Sequence, residues 1–436
     1  MKITFLTGEY PPMQGGIADH TAYLAQHLTQ PNIATFILTN DRWQETETDG
    51  PQPLVPGVGR QPIIQPLLTN WGWRCWRGVD RFLNTYHPDI LHIQYQAAAF
   101  DLGGWVNWLP WYLRVRRFKT KIVTTFHDLR IPYIFPKGGA FRWYSMLALA
   151  RYSHAVICTN REDMLTLAKQ LSMNNEQLRM NNEQSPVSNL RIPQSSYLPS
   201  SIFHSSSFPL LILIPLGSNV EPQPPPDFER ATWRARYQAD EKTLLLAYFG
   251  FLNESKGGEE LIESLALLRQ QGTNTRLLFI GGDVGHADPT NVAYGARVQA
   301  MIERHNLQKV VHRTGYIDEA AVSANLLAAD VLVMPYRDGV SFRRTTLIAA
   351  LRHGCPIIST TPTDPSLIPE IRPGENMLLT PPQDAVALAE TIAPLADDTA
   401  LRERLSVGAR QLGNLFEWQT IAEQTKTLYQ TILRNA

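Results

Sequence analysis

Leu244-Leu245-Leu246-Ala247-Tyr248-Phe249-Gly250-Phe251-Leu252-Asn253-Glu254-Ser255-Lys256-Gly257-Gly258 is the stretch on which the fold turns. An apolar run of strand length stops at Gly250 and passes, by way of Lys256 and two glycines, into the amphipathic pattern Glu260–Leu268. A strand that turns through glycine into a helix is half of a βαβ unit, from which parallel sheets are built. The same turn carries chemistry. Backbone amides converge at a helix start, the helix dipole favours an anion there, and a lysine ammonium stands beside them. A diphosphate is the expected occupant.

The alternation continues downstream through Arg276–Gly281, Val310–Thr314, Val331–Pro335, Pro356–Thr360 and Asn376–Thr380. Upstream, Ile3–Thr7, Ile33–Leu38, Ile90–Ile93, Lys121–Thr125, Ala155–Cys158 and Leu210–Pro215 make a first series. Continuous apolar runs of this length read as buried parallel strands, so two Rossmann-like α/β sheets are expected. A chain of 436 residues also exceeds the roughly 250–300 that one core serves. The proline run Glu221-Pro222-Gln223-Pro224-Pro225-Pro226 marks the join, giving domains 1–221 and 222–415 with a helix over 416–436. Within the first domain, 172–207 holds a tandem repeat, Met173–Arg179 and Met180–Gln184, in Ser/Asn/Gln-rich surroundings and reads as a disordered surface insertion.

Composition excludes several function classes. Lys plus Arg is 40 and Asp plus Glu is 40, so no global field favours nucleic acid and any anion site is built locally. Cys75, Cys158 and Cys355 are too few and too scattered for a disulfide framework or a zinc cluster. No window approaches the ~20 apolar residues of a membrane span. A cytoplasmic protein with a small-molecule partner is expected.

Two further loops carry candidate chemistry. After the first strand, Gly15 and Gly16 precede a helix and let a phosphate or sugar approach the main chain; a plain turn is the other reading. His127 follows the fourth strand, where open α/β sheets place ligands, though a lone histidine also serves as a satisfied core or capping residue. In the second half, Met334-Pro335-Tyr336-Arg337-Asp338-Gly339-Val340-Ser341-Phe342-Arg343-Arg344-Thr345 again runs from strand through glycine to helix. Its arginines suit phosphate oxygens, or pair with Asp338 or Glu370 instead. Trp105, Trp108 and Trp111 precede Arg114, Arg116, Arg117 and Lys119. Segment 105–119 reads as a core-facing helix with a solvated end, or as a helix lying on the inner face of an anionic membrane.

Taken in order, Gly8-Glu9-Tyr10-Pro11-Pro12 with Gly15-Gly16, His127-Asp128, Pro215-Leu216-Gly217-Ser218-Asn219, Lys256-Gly257, Thr314-Gly315-Tyr316, Ala328-Ala329-Asp330 and Leu351-Arg352-His353-Gly354-Cys355-Pro356 resemble glycosyltransferase family 4. The resemblance covers nearly the whole chain. It departs at the family's two glutamates, whose positions hold Ser341 and Ala349, and at an arginine whose position holds Phe251.

The resemblance implies a GT-B architecture of two Rossmann-like domains facing across a cleft, with the tail crossing back to the first. It implies retaining, metal-independent transfer of a sugar from a nucleotide diphosphate sugar, held as co-substrate with no other cofactor, to a carbohydrate or lipid-linked acceptor. Catalytic roles fall to His127, Lys256 and Arg343. Donor contacts fall to Gly15, Gly16, Gly250, Lys256, Gly315, Tyr316, Ser341, Phe342, Arg343 and Arg344, with the amides of 342–344 contributing. Glu9, Asp19, His20, Gln94 and Asp128 lie on the acceptor side, and no metal site is expected. Other readings are a donor-binding pseudoenzyme, or an epimerase or phosphorylase on the same fold.

Overall fold

The computed structural model describes residues 1–13, 15–43, 61–129, 139–178, 209–282 and 289–434. The chain divides into two compact units, Met1–Leu216 with Trp418–Ala436, and Gly217–Glu417.

In the first unit, β1 (Lys2–Leu6), β2 (Ala34–Asn40), β3 (Ile63–Leu68), β4 (Ile90–Tyr95), β5 (Lys121–Phe126), β6 (Ala155–Cys158) and β7 (Leu210–Leu213) form a parallel sheet in the order β3-β2-β1-β4-β5-β6-β7. In the second, β8 (Leu244–Phe249), β9 (Thr275–Ile280), β10 (Val311–Arg313), β11 (Val331–Met334), β12 (Ile357–Thr360) and β13 (Leu378–Thr380) are parallel in the order β10-β9-β8-β11-β12-β13. Each sheet reverses its winding beside its first strand, between β1 and β4 and between β8 and β11. Such a switch point opens a crevice at the strands' C-terminal ends, where doubly wound sheets take ligands.

Every strand expected from sequence is present, and the α/β class with two Rossmann-like sheets holds. Strand β8 is buried along its whole length, as a strand covered on both faces must be. The helix Gly258–Gln270 follows it and buries Leu261, Ile262, Leu265, Ala266 and Leu268 against the sheet. Emptying one such position, Leu265→Ala, removes about 2–5 kcal/mol. Strand β3 was missed because Pro66 interrupts its run. As an edge strand, half exposed, it tolerates the missing donor.

The chain leaves the first unit between Leu216 and Gly217, ahead of the prolines. Glu221 is held in the second unit by Arg352, at 2.9 Å. After Glu417 the chain returns as the helix Trp418–Arg434, whose Trp418 stacks on Tyr23 at 5.2 Å and whose Tyr429 hydroxyl meets His92 Nδ1 at 2.5 Å.

Two sequence expectations change. Helix Arg161–Leu178 takes in the start of the 172–207 segment, so 172–178 is helical; 179–207 lies outside the described residues. In 105–119, Val106, Leu109 and Leu113 fill the core while Trp105 and Trp111 are exposed. Trp105 and Trp111 are therefore not on the core face of that segment, and Trp108 is half-buried.

Candidate functional site

At the β8/β11 switch point the loop after β8 lies directly on the end of β11. Gly257 has φ of 70°, and a Cβ there would stand 1.9 Å from the Pro335 carbonyl oxygen, so only glycine permits this approach. The Arg337 amide donates to the Ser255 carbonyl at 2.8 Å, and the Arg337 guanidinium reaches Glu254, Glu259 and Glu260 at 3.3, 2.6 and 2.8 Å. Arg337 thus ties the two loops together instead of standing open to phosphate.

Lys256 is carried across Gly250: a Cβ on that glycine would lie 3.4 Å from Nζ and 3.1 Å from Thr346 Cγ2. Its ammonium therefore stands beside the first turn of the helix Thr345–His353. Burial, and then the nearby Arg344 guanidinium, push its pKa down to about 8. Arg344 is the N-cap residue of that helix, lies over the Tyr336 ring at 3.9 Å and pairs with Asp338. Its Nε is buried with no hydrogen-bond partner among the described residues.

Helix caps distinguish this place from the rest of the unit. Glu229, Asp318, Asp384 and Asp398 cap the helices Arg230–Ala235, Glu319–Ala328, Ala385–Ile392 and Thr399–Gly413 with side-chain oxygens. The residues preceding Gly258–Gln270 and Thr345–His353, the two helices that begin at the switch point, supply no side-chain cap, although the Tyr294 hydroxyl accepts from the Glu259 amide at 3.1 Å in the first turn of the former. A helix start without a cap leaves donor groups for a ligand or for water. Lys256 and Arg344 flank these two starts, and Arg337 engages the carboxylates of Glu254, Glu259 and Glu260 at the first of them.

Other residues expected there are used differently. The Ser341 hydroxyl accepts from the Arg343 amide at 3.3 Å, and the Ser341 carbonyl from the Arg344 amide at 3.3 Å. Those two amides are therefore engaged in the turn, against the expectation that they face a donor. Phe342 packs its ring on Phe416 at 5.0 Å. Gly315 bridges to Gly281 beyond the end of β9, a Cβ on it would meet nothing, and Tyr316 is 86% exposed. Ala349 is buried in its helix. Thr346 and Tyr336 escaped the sequence reading. A threonine in the first helical turn was the available signal for the former, whereas the arginine–ring contact of the latter had none.

At the β1/β4 switch point Gly15 lies against Glu9, whose Oε2 would be 2.3 Å from an added Cβ, while a Cβ on Gly16 would meet nothing. Glu9 is pushed upward by burial and then by Asp19, and Asp19 by burial. No side chain caps the helix Gly16–Leu28 that begins here. His127 meets Gln94 Oε1 through Nε2 at 2.7 Å and takes the edge of His20 at 4.7 Å between centroids. Burial pushes its pKa down to about 4, so the ring is neutral near pH 7. His20 is pushed well below its usual range by burial, His127 and His92. Asp128 follows, half-buried. Sequence neighbours thus become two groups, Glu9 with Gly15 and Asp19, and His127 with Gln94 and His20. Among the described residues no three His, Cys, Asp or Glu side chains gather as metal ligands would.

Comparison with known proteins matches residues 229–412 to a family described as glycosyl transferases group 1, and residues 14–180 to glycosyltransferase family 4. Similar curated proteins include a phosphatidyl-myo-inositol mannosyltransferase of Mycobacterium leprae, 26% identical over 50% of this chain and 53% of that one. A D-inositol 3-phosphate glycosyltransferase of Corynebacterium glutamicum is 27% identical over 50% of this chain and 51% of that one. The chain spans about half the length of the curated relatives it matches. Among solved structures, sucrose-phosphate synthase from Thermosynechococcus elongatus superposes with a TM-score of 0.66 at 21% identity, covering 100% of both chains. HepE of Anabaena in complex with UDP gives 0.67 at 14% identity, over 99% of this chain and 100% of that one.

Proposed function

We propose, since this chain belongs to glycosyltransferase family 4 and has the GT-B fold, that it transfers a sugar from a nucleotide diphosphate sugar with retention of configuration and without a metal ion. The observation that carries the reading is the pair of uncapped helix starts at the β8/β11 switch point with Lys256 and Arg344 beside them. A solved protein of the same fold, HepE of Anabaena, holds UDP in one crystal and UDP-glucose in another, which supports a nucleotide sugar as donor.

In this mechanism the bond between the anomeric carbon and the diphosphate oxygen breaks as the acceptor hydroxyl attacks from the same face. The departing oxygen takes the acceptor's proton, so no separate base is required. Charge that grows on the diphosphate is met by Lys256 and Arg344, held in place before the reaction, by Arg343 and by the amides left free at the two helix starts. These cations supply what a divalent ion supplies elsewhere. Neutral His127 offers hydrogen bonding to the donor sugar without adding a cation near the anomeric centre. Gly315 and Tyr316 lie toward base and ribose. Gly15 and Gly16 are assigned to the donor as well, and Glu9, Asp19, His20, Gln94 and Asp128 to a carbohydrate or lipid-linked acceptor.

The loss of both family glutamates, at Ser341 and Ala349, favours a second reading, a protein that binds the donor without turnover. Thermal-shift screening against UDP-, GDP- and ADP-sugars in EDTA identifies the donor. Product analysis then separates the readings. Transfer releases nucleoside diphosphate in step with glycosylated acceptor of retained anomeric configuration, whereas binding alone releases none, and an inverted product refutes the mechanism.

A further inference from the structure

We propose that Gln94 is a positioning residue that acts through His127: its side-chain oxygen holds the imidazole with the hydrogen on Nε2, so that Nδ1 meets the donor sugar as a hydrogen-bond acceptor. This deepens the donor-site reading, on which it rests for the sugar, and moves Gln94 from among the acceptor contacts to the support of His127.

Strands β4 and β5 run parallel with Gln94 opposite Thr125. Side chains two residues apart share a face of a sheet, so His92 and Gln94 of β4 stand on the face that Thr125 shares with His127. His127 lies just past the end of β5, its amide still donating to the Tyr95 carbonyl at 3.1 Å. The main chain thus fixes where the ring begins, and a side-chain bond fixes how it turns, with Nε2 2.7 Å from Gln94 Oε1. His92 is committed elsewhere, Nδ1 to the Tyr429 hydroxyl at 2.5 Å and Nε2 to Thr125 Oγ1 at 2.7 Å. His20 packs T-shaped against the His127 ring, the two planes at 83°.

An amide oxygen has no hydrogen to give. Nε2 therefore supplies the hydrogen of the bond to Gln94, and the neutral ring keeps its lone pair at Nδ1. Gln94 is 0% exposed, so its effect on a ligand passes through the ring. The Gln94 Nε2 group is buried with no hydrogen-bond partner among the described residues. A donor left in that state opposes folding, and the use this side chain finds is its oxygen. Glutamine also accepts without charge. A buried carboxylate in its place, beside a neutral imidazole, would take up a proton. Whether that proton stayed on the carboxyl group, which then donates to Nε2, or made the ring an imidazolium, Nδ1 would carry a hydrogen and become a donor.

The test is nitrogen NMR of the full chain labelled at histidine, the His127 signals being those lost in His127→Ala. Near pH 7 the unmutated chain should show His127 protonated at Nε2 and bare at Nδ1, and Gln94→Glu should show Nδ1 protonated. Turnover is measured with whichever of UDP-, GDP- and ADP-glucose the chain uses. Gln94→Leu and Gln94→Glu should each lower kcat/KM tenfold or more, and Gln94→Leu added to His127→Ala should lower it no further, because its effect runs through the ring. A hydrogen on Nδ1 in the unmutated chain, a bare Nδ1 in Gln94→Glu, or the parent's rate in Gln94→Leu overturns the proposal. Should Gln94→Leu unfold, the spectra of the unmutated chain and of Gln94→Glu decide. A folded chain that turns over no nucleotide sugar removes the donor-site reading and the sugar contact with it, while the spectra still decide the tautomer, so the two fail separately.

Discussion

Lys256 and Arg344, two cations from loops 88 positions apart in sequence, lie close enough for the guanidinium to help depress the ammonium's pKa to about 8. Like charges are held together only where surrounding contacts impose it. Here Gly257 seats one loop on β11, Arg337 joins the loops through three carboxylates, and Asp338 with the Tyr336 ring holds Arg344. The two cations are thus fixed in place by contacts within the chain, as the proposed binding of a diphosphate requires.

Lys256→Ala should lower kcat/KM roughly a hundredfold or more, the scale for removing one preorganised charge-stabilising group. A near-normal rate in steady-state kinetics would take Lys256 out of the mechanism.

The same lysine predicts a trade between stability and activity. Its proton leaves at about 8 in the folded chain and near 10.5 ordinarily. Between these values the unfolded chain holds the extra proton, so stability should rise with pH through that window. Below about 8 the ammonium is charged in both states and its burial opposes folding in full. Lys256→Met should therefore melt higher than the parent at pH 7 without nucleotide, lose activity, and flatten the rise between pH 8 and 10. Equal melting curves across that range would contradict this.

Gly257→Ala forces a side chain onto the Pro335 carbonyl at a positive φ. A stability loss of about 2 kcal/mol or more is expected in urea titration, with weakened nucleotide binding. Gly16→Ala, where a Cβ meets nothing, should fold normally. Equal stability of the two variants would count against the loop geometry.

Acid should destabilise the first unit through its buried histidines. His92 and His127 are depressed to about 3 and about 4, and His154 to about 4, in each case chiefly by burial. Unfolded histidine binds its proton near 6.5, so the unfolded chain takes up more protons as pH falls from there. Stability is full above about 6.5 and is lost progressively toward pH 4. Melting temperature against pH measures this, and a flat profile over that range would refute it.

Trp418 is the first residue of the returning helix, stacked on Tyr23 and edge-on to His20, which in turn meets His127. Trp418→Ala should cost about 3–5 kcal/mol. Tyr429→Phe, which leaves His92 Nδ1 without its partner, should cost about 1–3 kcal/mol. Urea midpoints unchanged in both would mean that the helix contributes little to the first unit.

The sequence made the Lys256 loop legible because glycine, charge and helix start are neighbours in the chain. Arginine roles were not legible. Arg337 and Arg344 stand in one loop, and only folding reveals that three carboxylates around the preceding helix start, Glu254, Glu259 and Glu260, converge on Arg337. Ser341 likewise reads as a ligand contact but closes its own turn. The core face of 105–119 was misread because the aromatic spacing drew attention to the tryptophans, whereas Val106, Leu109 and Leu113 make the buried face. His127 was placed by its strand end, while its partner Gln94 comes from the neighbouring strand β4.

The central claim is that Lys256 and Arg344 receive a diphosphate without a metal. Its most direct test is calorimetric titration of the full chain with UDP, GDP and ADP in EDTA, repeated on Lys256→Ala and Arg344→Ala. One nucleoside diphosphate should bind the unmutated chain in EDTA, and each substitution should weaken that binding tenfold or more. Binding that requires added magnesium, or that both variants retain in full, would contradict the account.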